Sequence, residues 1–282
     1  MAAYSSFDPL ILLHEGTRQS QPVVCLPGAG ATVTNLLDLA DALGTGQSVY
    51  GLQPRGIEPG ESPHPSVETA AQCNLAALER VGLIDSFHLI GHSHGGSVAF
   101  EMALRMQEAG VAPSSITLID SRPPVRPGLA SSVPTEREIL TDYLDALERT
   151  FEGRLRIDRN TLENGAIEKT LAEARAVMVK KGILSARSHP QVLTGPYSTY
   201  AFARRLIYQP ETVFSGKMGL ILVRDASKSL EFDRVRKRDY TERWVACAPN
   251  SIIWEGPGNH YSALRKPHVD EIVARWREGI FR

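Results

Sequence analysis

A chain of 282 residues, 42% hydrophobic and 22% charged, is long enough to bury a full core, as one α/β domain or as a domain with an insertion. Its 31 basic and 32 acidic side chains leave a formal net charge of -1, which gives no global electrostatic drive toward nucleic acid or an anionic membrane. Cys25, Cys73 and Cys247 are too few and too scattered for a disulfide framework or a metal site. No apolar run approaches the roughly 18 residues that span a bilayer, and the N-terminus lacks the basic-then-apolar layout of a secretory signal. The expectation is a globular, cytoplasmic protein with neither membrane nor nucleic-acid partner.

In chain order, Leu10-Ile11-Leu12-Leu13 and Pro22-Val23-Val24-Cys25-Leu26 predict two strands around a polar turn, the second running into the glycine loop Pro27-Gly28-Ala29-Gly30. Leu36, Leu37, Leu39, Ala40 and Leu43 predict an amphipathic helix ending at Gly44, followed by a short strand at Val49-Tyr50-Gly51-Leu52. After a Pro- and Gly-rich loop, residues 67–81 predict a helix. Phe87-His88-Leu89-Ile90 is a strand that enters Gly91-His92-Ser93-His94-Gly95-Gly96, and a helix then runs to about Gly110. Ser115-Ile116-Thr117-Leu118-Ile119-Asp120 is a buried strand with a carboxylate at its C-terminal end. This alternation of β and α predicts a mainly parallel sheet covered on both sides.

The alternation stops after Asp120. A Pro-rich linker, Arg122 to Gly128, opens a stretch with no convincing strand, and residues 126–195 are expected to form a helical insertion, a lid, within a single domain spanning 1–282. Thr135-x-x-Glu138 and Asn160-x-x-Glu163 mark two helix starts, and apolar stripes such as Ile139, Leu140, Tyr143, Leu144 and Leu147 show faces that must pack, though not that they move. The sheet resumes at Gly219-Leu220-Ile221-Leu222-Val223-Arg224-Asp225, continues after a charged helix at Ser251-Ile252-Ile253-Trp254, and is followed by a final helix from about Pro267. The intervening loop holds Gly258-Asn259-His260-Tyr261.

Gly-x-Ser-x-Gly between a strand and a helix points to Ser93 as a nucleophile on a sharp elbow, where glycines admit backbone that side chains would block. A bare glycine turn with an idle serine is the bland alternative. A serine hydroxyl needs a base in reach and a third group to orient that base. Of the eight histidines, His92 and His94 sit too close to Ser93 in sequence to swing back, and His14, His64, His88, His189 and His268 have no forced route to it. His260, in a loop after the last strand, is the candidate base. Asp120 and Asp225 both end strands beside the elbow strand, and sequence geometry leaves the choice between them open. The backbone N–H of His94 is one candidate oxyanion donor, with Gly28 or Ala29 supplying the second.

Several of these motifs together resemble the chain-terminating (type I) thioesterase domains of nonribosomal peptide and polyketide synthases, a branch of the α/β-hydrolases. Pro9 to Gly16 is similar to their entry strand, Val24 to Gly30 to their oxyanion loop, and Val49-Tyr50-Gly51-Leu52-Gln53-Pro54-Arg55-Gly56 to a segment general lipases lack; Gly91 to Gly96 and Gly258 to Tyr261 complete the likeness. The resemblance implies an α/β-hydrolase fold whose lid lies between the strands ending at Asp120 and Asp225. It favours Asp120, within Leu118 to Pro124, as the acid, while stand-alone editing (type II) thioesterases usually place it where Asp225 falls. The Pro-Gly-Ala-Gly loop departs from the commoner Pro-x-Gly-Gly, which leaves the second donor open between Gly28 and Ala29.

The implied reaction is transfer of an acyl or peptidyl chain from the phosphopantetheine arm of an acyl or peptidyl carrier protein to Ser93, then hydrolysis or macrocyclisation. No cofactor is bound by the domain itself, and no metal. Few residues precede the oxyanion loop, whereas polyketide release domains often carry dimerising helices there. The expectation is therefore a monomeric, peptide-synthetase-like domain, either excised from a synthase or free-standing. An editing thioesterase, a general esterase and a non-catalytic binding protein remain the competing readings. The basic run Asp233-Arg234-Val235-Arg236-Lys237-Arg238 and the pair Arg204-Arg205 suit either docking of an acidic carrier or, more simply, a solvated helix face. Tyr197, Tyr200 and Phe202 suit a pocket wall or core packing equally.

Overall fold

Four consecutive apolar residues at Val23–Leu26, with no polar alternation, are the pattern of a strand covered on both faces, and in the computed structural model all four are buried. The structure describes residues 7–280 apart from 18–19, 59, 126–132, 160–166 and 226. The strands are β1 (Leu10–His14), β2 (Val23–Leu26), β3 (Val49–Leu52), β4 (His88–His92), β5 (Ser115–Ile119), β6 (Met218–Arg224) and β7 (Ser251–Asn259). They form one sheet in the order β1-β3-β2-β4-β5-β6-β7. Every neighbouring pair is parallel except β1 and β3. The polar turn after β1 therefore joins strands that do not pair, since β3 lies between β1 and β2.

The chain leaves β2 for β3 on one side and returns to β4 on the other. That reversal opens a crevice at the C-terminal ends of β2 and β4, where open parallel sheets build their sites. The helices are α1 (Leu37–Leu43), preceded by a 3-10 turn at Val33–Leu36, α2 (Val67–Arg80), α3 (His94–Glu108), α4 (Glu136–Thr150), α5 (Ile167–Lys180), α6 (Thr194–Arg205), α7 (Leu230–Cys247) and α8 (His268–Arg275). Val23 and Cys25 of β2, Ile90 of β4, Ile119 of β5, and Ile221 and Val223 of β6 share one core with Leu39 and Leu43 of α1 and Ile272 and Val273 of α8. These are every-second positions along the strands, the spacing that puts side chains on one face of a sheet. In α3, eleven of the fifteen residues are buried, so it is an interior helix beside the strand that feeds it.

The chain divides into two compact units, one holding the whole sheet and the other made of residues 55–63 and 130–206. The second unit has its own core, in which Ile139, Tyr143 and Leu144 of α4 meet Leu171 and Ala174 of α5 and Tyr197 and Ala201 of α6. Thr135 caps α4 reciprocally with Glu138, as the sequence predicts; the second expected start, at Asn160, lies outside the described residues. The helical stretch does not stop at 195. Pro196 falls in the first turn of α6, where its missing N–H costs no intrahelical bond, so the helix carries on to Arg205. Tyr197 packs edge-on against Tyr143, with ring centroids 5.5 Å apart, and belongs to this unit's core. Arg204 and Arg205 pair with Asp142 and Glu136 of α4 and are not free cations awaiting a partner.

β7 is also longer than the sequence predicts. Gly256-Pro257-Gly258 reads as a loop, yet the strand continues through it to Asn259, with an irregularity in its register against β6 between Leu222 and Arg224. Pro is tolerated there because β7 is an edge strand.

Candidate active site

Ser93 takes φ 54° and ψ -123°, a conformation that costs a non-glycine residue energy and is held by its surroundings. Its backbone N–H donates to the Ile119 carbonyl at 2.9 Å, which extends the β4–β5 ladder through the turn. The flanking glycines are there because nothing larger fits. A Cβ on Gly91 would lie 2.5 Å from Gly96 Cα, one on Gly95 2.6 Å from the Leu26 carbonyl oxygen and against that of Pro27, and one on Gly96 2.6 Å from Ser121 Cβ. The pentapeptide thus describes how closely β4 and α3 must approach β2 and the segment after β5.

His94 begins α3, so helix geometry leaves its N–H without an intrahelical acceptor and at the positive end of the helix dipole. Across the crevice, a Cβ on Gly28 would lie 3.1 Å from Ser93 Cβ and 3.6 Å from Ser93 Oγ. The loop after β2 therefore runs alongside the nucleophile at Gly28. Ala29 stands in the turn that follows, closed by the Ala31 N–H to the Gly28 carbonyl at 3.2 Å.

His260 follows β7 in a loop fixed by its own neighbours. Asn259 N–H donates to Ser262 Oγ at 3.0 Å and Tyr261 N–H to Asn259 Oδ1 at 2.9 Å. Nδ1 of His260 lies 2.7 Å from Asp120 Oδ2. Asp120, at the end of β5, has φ 44° and donates its N–H to the Ile221 carbonyl of β6 at 2.7 Å. Its other carboxylate oxygen accepts from Arg236 Nη1 at 3.1 Å. Burial raises the Asp120 pKa, but the hydrogen bond and charge of His260 and the charge of Arg236 outweigh it, holding the carboxyl at about 2. It is ionised throughout the physiological range.

Asp225 follows the end of β6 but turns elsewhere. Its Oδ1 accepts from Ser227 N–H at 3.0 Å and Ser227 Oγ at 2.6 Å, a short-range capture typical of an Asp two residues before a serine. The structure thus brings Asp120, not Asp225, to the histidine.

Three further residues support the site in roles the sequence reading does not assign them. His92 Nε2 lies 3.0 Å from the His260 carbonyl oxygen, and the two rings are tilted with centroids 4.9 Å apart. Burial, then the charge of His260, lowers the His92 pKa to about 3, and burial alone lowers that of His94 to about 4. Both are neutral near pH 7, so His92 donates its Nε2–H and braces the histidine loop from the elbow. Trp244 of α7, fully buried, donates its indole N–H to the Ser121 carbonyl at 2.9 Å, securing the segment after Asp120. Arg236 is the third. The basic run is not wholly a solvated face, for the side chains of Arg236 and Lys237 are only 14% and 15% exposed and share Asp233; Arg234 does remain in solvent, beside Glu231. Among the described residues no cluster of three or more His, Cys, Asp or Glu side chains could hold a metal ion.

A parallel sheet with a strained serine at the elbow after β4, a carboxylate after β5 and a histidine after β7 defines an α/β-hydrolase. The family model described as "Thioesterase domain" matches residues 21–203, which include Ser93 and Asp120, and the chain belongs to that family. It is an enzyme of the thioesterase class. Indigoidine synthase of Streptomyces lavendulae is 28% identical over 275 residues, a match covering 95% of this chain and 20% of the synthase. The chain thus spans about a fifth of that relative's length. Among solved structures, a four-domain nonribosomal peptide synthetase bound to AMP and glycine superposes with a TM-score of 0.80 at 17% identity, over 96% of this chain and 20% of that one. The Vlm2 thioesterase domain bound with a dodecadepsipeptide gives a TM-score of 0.67 at 21% identity, over 97% and 98% of the two chains.

Proposed function

We propose that this chain releases an acyl or peptidyl chain from the phosphopantetheine thioester of a carrier protein through a covalent intermediate on Ser93. The observation that carries the reading is the 2.7 Å contact between His260 Nδ1 and Asp120 Oδ2 at the same sheet edge as Ser93, in a chain of the thioesterase domain family. Ser93 Oγ attacks the thioester carbonyl while His260 takes its proton, and the imidazolium so formed is stabilised by ionised Asp120. The His94 N–H and a second N–H from the Gly28–Ala29 loop donate to the developing oxyanion, and Gly28 of that loop runs alongside Ser93. His260 then gives its proton to the departing thiolate, and the acyl-enzyme remains. A water, or a hydroxyl or amine of the bound chain itself, is deprotonated by His260 and attacks the ester; the bond to Ser93 Oγ breaks, His260 returns the proton to Ser93, and a free acid or a macrocycle leaves.

This chemistry needs no cofactor within the domain, because the pantetheine arm arrives with the substrate. The partner is a carrier protein of a synthase, the domain acts as a monomer in the cytoplasm, and the helical unit has the role of a lid. No helix among the described residues is long and apolar enough to cross a membrane. Mass spectrometry of products from a panel of peptidyl and polyketide thioesters tests the reading. Ser93-dependent release of carrier-bound or N-acetylcysteamine thioesters in preference to oxygen esters supports it; preference for simple oxygen esters overturns it in favour of a general esterase.

A further inference from the structure

The Asp120 carboxylate meets two side chains, His260 and Arg236, and only His260 belongs to the reaction just described. Arg236 reaches it from α7, 116 residues away in sequence, and is tied on three sides: Nη1 to Asp120 Oδ1 at 3.1 Å, Nη2 to the Val223 carbonyl at 2.5 Å, and Nη2 to Asp233 Oδ1 at 3.0 Å. The ion-pair side chains are 14% and 5% exposed, so this is a desolvated contact and not a surface pair of negligible worth. Asp233, itself 7% exposed, is shared with Lys237 and accepts the Asp225 N–H, fixing the guanidinium from behind. The ring of Tyr240 lies 5.2 Å from the guanidinium carbon. The two carboxylate oxygens of Asp120 are therefore divided, Oδ2 to His260 and Oδ1 to Arg236 and, at 3.4 Å, the Val223 N–H.

We propose that Arg236 is a positioning residue of the thioesterase site: by occupying Oδ1 it keeps the Asp120 carboxylate turned so that Oδ2 meets His260. The inference rests on the Ser93 reading above. The charged and titratable groups facing the carboxylate are His260 after β7, Arg236 and Tyr240 on α7, and His92 at the elbow, with Asp233 and Lys237 behind Arg236 and Arg122 beside Tyr240. None of the others supplies a second cation in contact with Asp120. Without the guanidinium, the Asp120–His260 pair loses a neighbouring positive charge and holds its own proton more tightly, so the base becomes available only at higher pH.

The test compares Arg236→Gln, which keeps a hydrogen-bonding side chain but no charge, with Arg236→Lys, which keeps the charge and loses the fork. With an N-acetylcysteamine thioester, Arg236→Gln is expected to lower kcat about tenfold or more, with KM little changed, and to move the acid limb of the rate profile up by about one pH unit. Arg236→Lys is expected to restore the limb but only part of kcat. Thermal melting of both variants separates this from a folding defect, since a purely structural loss lowers the melting temperature without moving the limb. Coincident acid limbs for wild type, Gln and Lys overturn the positioning role while leaving Ser93 chemistry intact. Absence of Ser93-dependent turnover in the wild type overturns both.

Discussion

Replacing Asp120 by Asn keeps the shape of the side chain and removes its charge. In the wild type, burial works against the carboxylate, yet its pKa falls from 3.8 to about 2 because His260 and Arg236 hold the ionised form. A displacement of that size corresponds to about 2 kcal/mol of preference for the anion. Asn forfeits it, and its amide also leaves the orientation of His260 undefined, since an N–H directed at Nδ1 selects the tautomer that cannot accept the serine proton. Turnover of a soluble thioester, followed by thiol release, is expected to fall by about 10^3–10^4-fold, or roughly 4–5 kcal/mol of barrier. Asp225→Asn, whose wild-type carboxylate is engaged by Ser227, is expected to stay within about twofold of wild type. A larger loss for Asp225→Asn than for Asp120→Asn refutes the reasoning and restores the arrangement usual in editing thioesterases.

Gly95→Ala places a methyl against the carbonyl oxygens of Pro27 and Leu26; because the obstacle is backbone, the loop after β2 must yield, and kcat is expected to drop at least about tenfold while KM moves less. Steady-state kinetics on a variant that melts cooperatively checks this, and unchanged kcat contradicts the placement of the loop. Acid is expected to destabilise the fold. Histidines held neutral in the fold but free to charge when unfolded make the unfolded state bind more protons as pH falls, so stability is complete above about 6.5 and declines as pH drops toward the folded values of about 3 for His92 and 4 for His94. Asp120, depressed to about 2, contributes stability above 3.8 that is lost as pH falls further through 2. Urea midpoints should fall steadily from pH 7 to 4, with a shallower decline in His92→Asn; a flat profile, or an unchanged slope in the variant, contradicts the assignment.

The elbow was legible in the sequence because its strand, turn and helix are contiguous and its glycines mark the turn. Gly91 is demanded by the backbone of Gly95 and Gly96 a few residues on, Gly95 by the carbonyls of Leu26 and Pro27 and Gly96 by the Ser121 side chain, and the strand and helix on either side declare themselves by their apolar spacing. The base was legible for a similar reason, through its place after the last strand. The acid was legible only through the family likeness of Leu118 to Pro124, because Asp120 and Asp225 both end strands beside the elbow strand and strand position alone does not separate them; in space His260 and Arg236 reach the one and Ser227 the other. Arg236 itself was hidden in a run of cations. Its spacing of three from Asp233 on α7 puts the two on one helical face, a signal shared by many solvated pairs, and only the buried carboxylate above it makes the contact functional. The extension of β7 through Gly256-Pro257-Gly258 was missed because local turn chemistry reads as a break, whereas pairing along β6 carries the strand past it.

The central claim, that Ser93 carries the chain covalently before release, is tested most directly by trapping the intermediate. The protein is mixed with a slowly hydrolysed acyl or peptidyl N-acetylcysteamine thioester, quenched in acid, digested and mapped by mass spectrometry. The account predicts one adduct of acyl mass on the peptide containing Ser93, absent in Ser93→Ala and longer-lived in His260→Ala with a preloaded chain. An acyl group found elsewhere, or thioester turnover that survives Ser93→Ala, contradicts it.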